Sequence, residues 1–175
     1  MAITTRSRFV LQSLLAPIAA ALQTPDKTVT VVLADTGKRA PDTSFITLRE
    51  ISAIELGPPG QKQISEDEEE IRLHLELMVS VQAYGPRAMV ILRRLSAWLG
   101  STPGMQALTE LGTSCPNYSL PRNVSEGVPG GWEERAVMTL TLAHDDRYTV
   151  PLSTIHTVPV GIATATGTIK FNIER

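Results

Sequence analysis

The clearest pattern in the chain is a strict alternation between residues 71 and 82. Ile71, Leu73, Leu75, Leu77, Val79 and Val81 alternate with Arg72, His74, Glu76, Met78, Ser80 and Gln82. Six apolar positions at period two predict a strand with one face in a core. Past the Tyr84-Gly85-Pro86 corner the period changes. Ala88, Ile91, Leu92, Leu95, Trp98 and Leu99 recur at helical spacing, with Arg87 and Arg94 on the other face. Pro86 suits the first turn of that helix. A second, shorter helix is expected over 104–112, ended by Gly112. Alternation returns from Trp132 through Ala136, Met138, Leu140 and Leu142.

The flanks are read the same way. Within residues 1–26, Leu11, Leu14, Leu15, Ile18 and Leu22 share a face, which predicts an amphipathic helix kinked or restarted at Pro17. Residues 27–35 read as a β-branched strand closed by a turn at Gly37, and 43–56 as a second strand region. The Gly/Pro cluster and charge run over 57–70 predict an acidic loop. Residues 113–131 show no period, and 154–174 hold one or two Thr/Val/Ile-rich strands broken by Gly161 and Gly167. The order helix, strands, two helices, strands predicts a single α+β domain over 1–175: a mostly antiparallel sheet with helices packed on one face.

Composition narrows the class. With 175 residues, 42% of them hydrophobic, the chain can fill one core; aromatics are 5%, so that core rests on Leu, Ile, Val and Ala. A formal charge of −2 argues against a dedicated nucleic-acid binder, while leaving room for DNA that passes without being gripped. Cys115 is the single cysteine, so no internal disulfide or Cys-based zinc site is available, and an inert thiol is expected. Arg6 and Arg8 ahead of an apolar stretch imitate a signal peptide, but the helical spacing of the leucines favours a folded helix. Asn117 and Asn123 each begin a glycosylation-type triplet, a pattern short enough to arise by chance. No stretch has the length of a membrane span.

Candidate chemistry is thin. Asp35-Thr36-Gly37 after a hydrophobic strand resembles the active-site turn of retroviral-type aspartic proteases, where two carboxylates share a proton and activate water. A homodimer would supply the second Asp35. Against this, Lys38 places a cation where that family has a small residue, and a turn in which Asp35 caps its own backbone explains the motif as well. Gly37-Lys38 and the segment from Gly57 to Lys62 lack phosphate-loop spacing, and His74, His144 and His156 are far apart with no ligand spacing. The acid run Glu66, Asp67, Glu68, Glu69 and Glu70 lacks the alternating ligands and central glycine of a calcium loop, so it reads as a solvated loop or a charged lumen or rim. Arg87, Arg93 and Arg94 form a small basic set with a solvated helix face or a subunit contact as readings.

Three segments, in order, carry a family resemblance. Residues 42–57 resemble the opening segment of the phage neck terminator family, and residues 77–99, with Tyr84 and Gly85, resemble its strand–Tyr-Gly–helix core. Residues 108–142, with Trp132, Glu134 and Arg135, resemble its closing segment, where a glycine-ended helix leads to a loop and a Glu-Arg strand. The resemblance implies a tail-terminator-like fold and a structural virion protein at the head–tail junction of a tailed phage, assembled in the host cytoplasm. It implies a homo-oligomeric ring, usually a hexamer, that caps the tail tube protein and docks to a neck connector protein, and meets the sheath protein in contractile tails. DNA would pass through without specific binding. No catalytic residue, metal or other cofactor is implied, and no membrane.

Overall fold

The computed structural model describes residues 3–23, 29–36, 41, 43–128, 131–152, 157–164 and 167–174. Along the chain lie β1 (Thr4–Ser7), a 3-10 turn (Leu11–Leu14), α1 (Leu15–Leu22), β2 (Thr30–Leu33), β3 (Phe45–Glu55), β4 (Gly60–Gln63) and β5 (Glu68–Tyr84). There follow α2 (Ala88–Leu99), α3 (Thr102–Glu110), β6 (Thr113–Tyr118), β7 (Arg122–Asn123), β8 (Glu126–Val128), β9 (Gly131–Glu133), β10 (Arg135–Pro151), β11 (Thr157–Thr164) and β12 (Gly167–Glu174).

β5 and β10 are the spine. Each has 17 residues, and they pair antiparallel from Arg135 opposite Tyr84 to Pro151 opposite Glu68. Short strands flank this pair in three tiers. At one end Val31, Ile46, Ala83, Ala136 and Asn123 form a rung across β2, β3, β5, β10 and β7. In the middle the rung is Ile54, Glu76, Ala143 and Ser114, across β3, β5, β10 and β6. At the far end it is Gln61, Ile71, Tyr148 and Thr5, across β4, β5, β10 and β1. Among the described residues, every pairing in this sheet is antiparallel except β2 with β3. The hairpins β8–β9 and β11–β12 form separate two-stranded sheets.

The alternation places Leu77, Val79, Val81 and Ala83 of β5 beside Ala136, Met138, Leu140 and Leu142 of β10 and Ile46 and Leu48 of β3 on one buried face. Ile18 and Leu22 of α1, Ile91, Leu92, Leu95 and Leu99 of α2, and Leu108 of α3 join them in a single core. The other face at that level presents Thr47, Ser80, Gln82, Thr139 and Thr141, half-buried and uncharged, together with exposed Arg49 opposite Ser80 and exposed Arg122 opposite Val137. This is the α+β sheet with helices on one face.

Several expected elements differ. The N-terminal segment is not one helix: β1 precedes the 3-10 turn, and α1 restarts at Leu15. Pro17 then falls in the first turn of α1, where its missing N–H is not needed. The acidic loop over 57–70 is instead a hairpin, in which Gln61, Lys62 and Gln63 of β4 oppose Ile71, Glu70 and Glu69 of β5 around a turn at 64–67. Ladder bonds are made by backbone groups, so the acidic side chains did not forbid them. Residues 113–131 hold β6 to β8 and open β9; Cys115 and Pro116 sit at an irregularity in the β6 ladder, where a proline on an edge strand is tolerated. Glu134 separates β9 from β10, so the strand expected from Trp132 is two. Gly161 lies inside β11 opposite Lys170 and does not break it. Gly37, Lys38 and His156 lie outside the described residues.

Candidate functional site

The corner after β5 brings together four of the residues singled out in the sequence. Gly85 has φ +87, and a Cβ there would stand 3.2 Å from Cα of Ser44, so a glycine fits both the backbone and the space. Its N–H donates to the Glu134 carbonyl at 2.9 Å. The Glu134 carboxylate accepts from the Arg87 N–H at 2.8 Å. Arg87, at φ +66, precedes α2, so Glu134 supplies an acceptor and a negative charge to a helix start that lacks a side-chain cap of its own. Consequently α2 begins at Ala88 and not at Pro86.

Tyr84 stacks on Phe45, ring centroids 4.8 Å apart, and the Arg135 guanidinium lies 5.2 Å from the Tyr84 ring centroid. Arg135 also meets Glu133, 2.6 Å away, and Glu126. The hydrogen bond that it donates to Glu133 is the main cause that holds the Arg135 guanidinium above its ordinary value. Tyr84, Gly85, Glu134 and Arg135 thus lock β3, β5, α2, β8 and β9 at one end of the spine. Trp132 does not join them: it is 71% exposed on the β9 arm of its hairpin.

The acid run stands at the opposite end. Ser65 and Ile64 donate their N–H groups to the Glu68 carbonyl, and Leu152 donates to the Asp67 carbonyl at 2.6 Å, which ties the turn to the end of β10. Glu66, Asp67 and Glu68 are exposed. Glu70 is not: its carboxylate is mostly buried, 3.8 Å from Arg6 and 3.9 Å from Arg72. Arg72 lies 3.9 Å from Asp145, whose carboxylate is also 2.6 Å from Nδ1 of His74.

A second cluster was missed in the sequence. Asp146, with 5% of its side chain exposed, accepts from the Phe9 N–H at 3.3 Å and from the Tyr148 hydroxyl at 3.2 Å, with Arg8 3.8 Å away. His144 packs against Phe9, centroids 5.1 Å apart, and sets Nε2 3.7 Å from Asp146; its Nδ1 is buried without a hydrogen-bond partner. Burial pushes His144 below its ordinary value against the raising effect of Asp146, and burial with Asp146 pushes Tyr148 up. The signal was present: His144 and Asp146 extend the buried even-numbered series 136, 138, 140 and 142.

Asp35 is exposed at φ +61 and pairs with Arg49 of the neighbouring strand at 2.9 Å. The arrangement is that of a surface ion pair at a turn. Burial raises the Cys115 thiol to about 11, so it stays protonated. Arg87, Arg93 and Arg94 are exposed on α2 and its approach. Among the described residues, no group of three or more His, Cys, Asp or Glu is placed to hold a metal ion, and no helix is long and apolar enough to cross a membrane.

In comparisons with known proteins, residues 9–168 match the family described as phage neck terminator protein. That span includes α1, α2, α3 and both spine strands. A search of curated proteins finds no match.

Proposed function

This chain belongs to the phage neck terminator protein family, and from that premise we propose that its copies close into a ring that caps the tail tube. A neck terminator is a structural component of the bacteriophage virion, and the proposal concerns how this one works. The ring, most simply a hexamer, stops growth of the tail tube protein, offers its other face to the neck connector protein, and meets the sheath protein where the tail contracts. It does no covalent chemistry, assembles in the host cytoplasm, and lets DNA through.

The observation that carries the reading is the extent of the family match, which takes in the whole core and the locked corner. The charge pattern agrees with it. Each phosphate–cation contact strengthens binding to DNA and slows passage. On the helix-free face Thr47, Ser80, Gln82, Thr139 and Thr141 line the middle of the sheet, Arg49 is paired with Asp35, and Arg122 stands on the β7 edge, so cations are sparse on a wall that DNA must leave. With strands along the ring axis, the turn bearing Glu66 and Asp67 stands on a rim, and the corner of Tyr84, Gly85, Glu134 and Arg135 near the other rim. The test is genetic. Phage lacking this chain should accumulate DNA-filled heads and separate tails of uneven length. Normal particles from such a phage would refute the proposal.

A further inference from the structure

We propose that the free edge of β3, residues 50–55, pairs with the free edge of β6 in a second copy of this chain. The inference rests on the ring reading and names the surface through which neighbours join. On its side away from β5, β3 is paired with β2 only through residues 45–48, and Ala34 donates to the Leu48 carbonyl. Among the described residues, 50–55 have no ladder partner on that side, and β6 has none on its side away from β10. Both stretches are six residues long, or about 20 Å at roughly 3.3 Å per residue. The other outer strands, β1, β2, β4 and β7, have four residues or fewer.

Height and direction match as well. Four rungs cross the sheet from one free edge to the other: Glu55 to Thr113, Ile54 to Ser114, Ser52 to Asn117 and Glu50 to Tyr118. Rotation about a ring axis does not change height along it, so the two edges of neighbouring copies meet at the same level. β6 runs antiparallel to β10, β10 to β5, and β5 to β3, so β3 and β6 run in opposite senses. Their junction therefore continues the antiparallel sheet from copy to copy.

Side chains decide against the obvious competitor. Two β3 edges meeting about a two-fold axis between Ser52 and Ala53 would set Glu50 opposite Glu55 twice, and like charges directly opposite are unfavourable. β6, Thr-Ser-Cys-Pro-Asn-Tyr, brings no charge to that contact. Ile51, Ile54 and Leu56 are each about half exposed on the β3 side, and Leu120, just past β6, is 79% exposed, so the junction has apolar surface to bury on both sides. The contact is heterologous, as a closed ring requires.

Cysteine pairs test it in a Cys115→Ser background, with Ser52→Cys or Ile54→Cys on one edge and Ser114→Cys or Asn117→Cys on the other, so that a register slip does not hide the contact. Variants carrying both edges, assembled with tail tubes and oxidised, should give a ladder of covalent multimers that reductant abolishes. Mixing single-edge variants should give covalent dimers only, and each alone should give none. Assemblies that form yet stay uncrosslinked in all four pairs would overturn the edge pairing and leave the ring standing. Crosslinking of one single-edge variant to itself would overturn it in favour of two-fold contacts. A chain that stays monomeric with tubes present would sink both readings.

Discussion

At the residue scale, stability rests on a few enforced positions. Gly85→Ala should cost about 2 kcal/mol, since a left-handed backbone penalises a side chain by about 1–2 kcal/mol and Ser44 stands in the way. Gly57→Ala, at φ +78 with open space around it, should cost about half as much. Urea midpoints that rank the two in the opposite order would contradict this. Glu134→Ala should lose about 1 kcal/mol through the lost acceptor at α2, whereas exposed Trp132→Ala should stay within about 0.5 kcal/mol. His144 gives a pH dependence. Its folded value lies below the ordinary 6.5 because of burial, so the unfolded chain binds the extra proton first and stability falls as pH drops below 6.5. His144→Leu should flatten the stability slope between pH 7 and 5; an unchanged slope would exclude His144 as its source. Cys115 should resist alkylation at pH 8 until the chain is unfolded, because its thiol titrates at about 11. The sequence pointed to Tyr84, Gly85, Glu134 and Arg135 by resemblance alone, and the structure supplies their joint physical role. Asp146 escaped notice because a period of two was followed only while the residues stayed apolar.

At the element scale, the long alternations were legible because one face of β5 and β10 is buried, which fixes register as well as strand identity. The hairpin formed by β4 and the start of β5 was not, since charge runs usually mark loops and nothing in the residues announces a backbone ladder. Its two ends differ in environment. Glu70→Gln, between Arg6 and Arg72 with 12% of its side chain exposed, should cost about 1 kcal/mol. Glu68→Gln, exposed on the same strand, should cost little. Equal losses in a denaturation series would mean that the ion pairs around Glu70 contribute nothing. The N-terminal segment shows the same limit in reverse. Its leucines do form α1, but β1 is set by pairing with residues 147–149, far away in sequence.

At the scale of the whole molecule, the three tiers would let one sheet serve the proposed ring. The spine strands run the full length of the sheet, while the flanking strands leave edges of opposite sense on the two sides of the chain. In the proposed ring such edges have a use, and the edge pairing predicts which of them meet. Cryo-electron microscopy of growing tail tubes with the purified chain added tests the central claim most directly. A single closed ring of this chain at one tip of each tube, with elongation halted at that tip, is the predicted result. Tubes that keep growing with bare tips, or that carry the chain along their whole length, would contradict it.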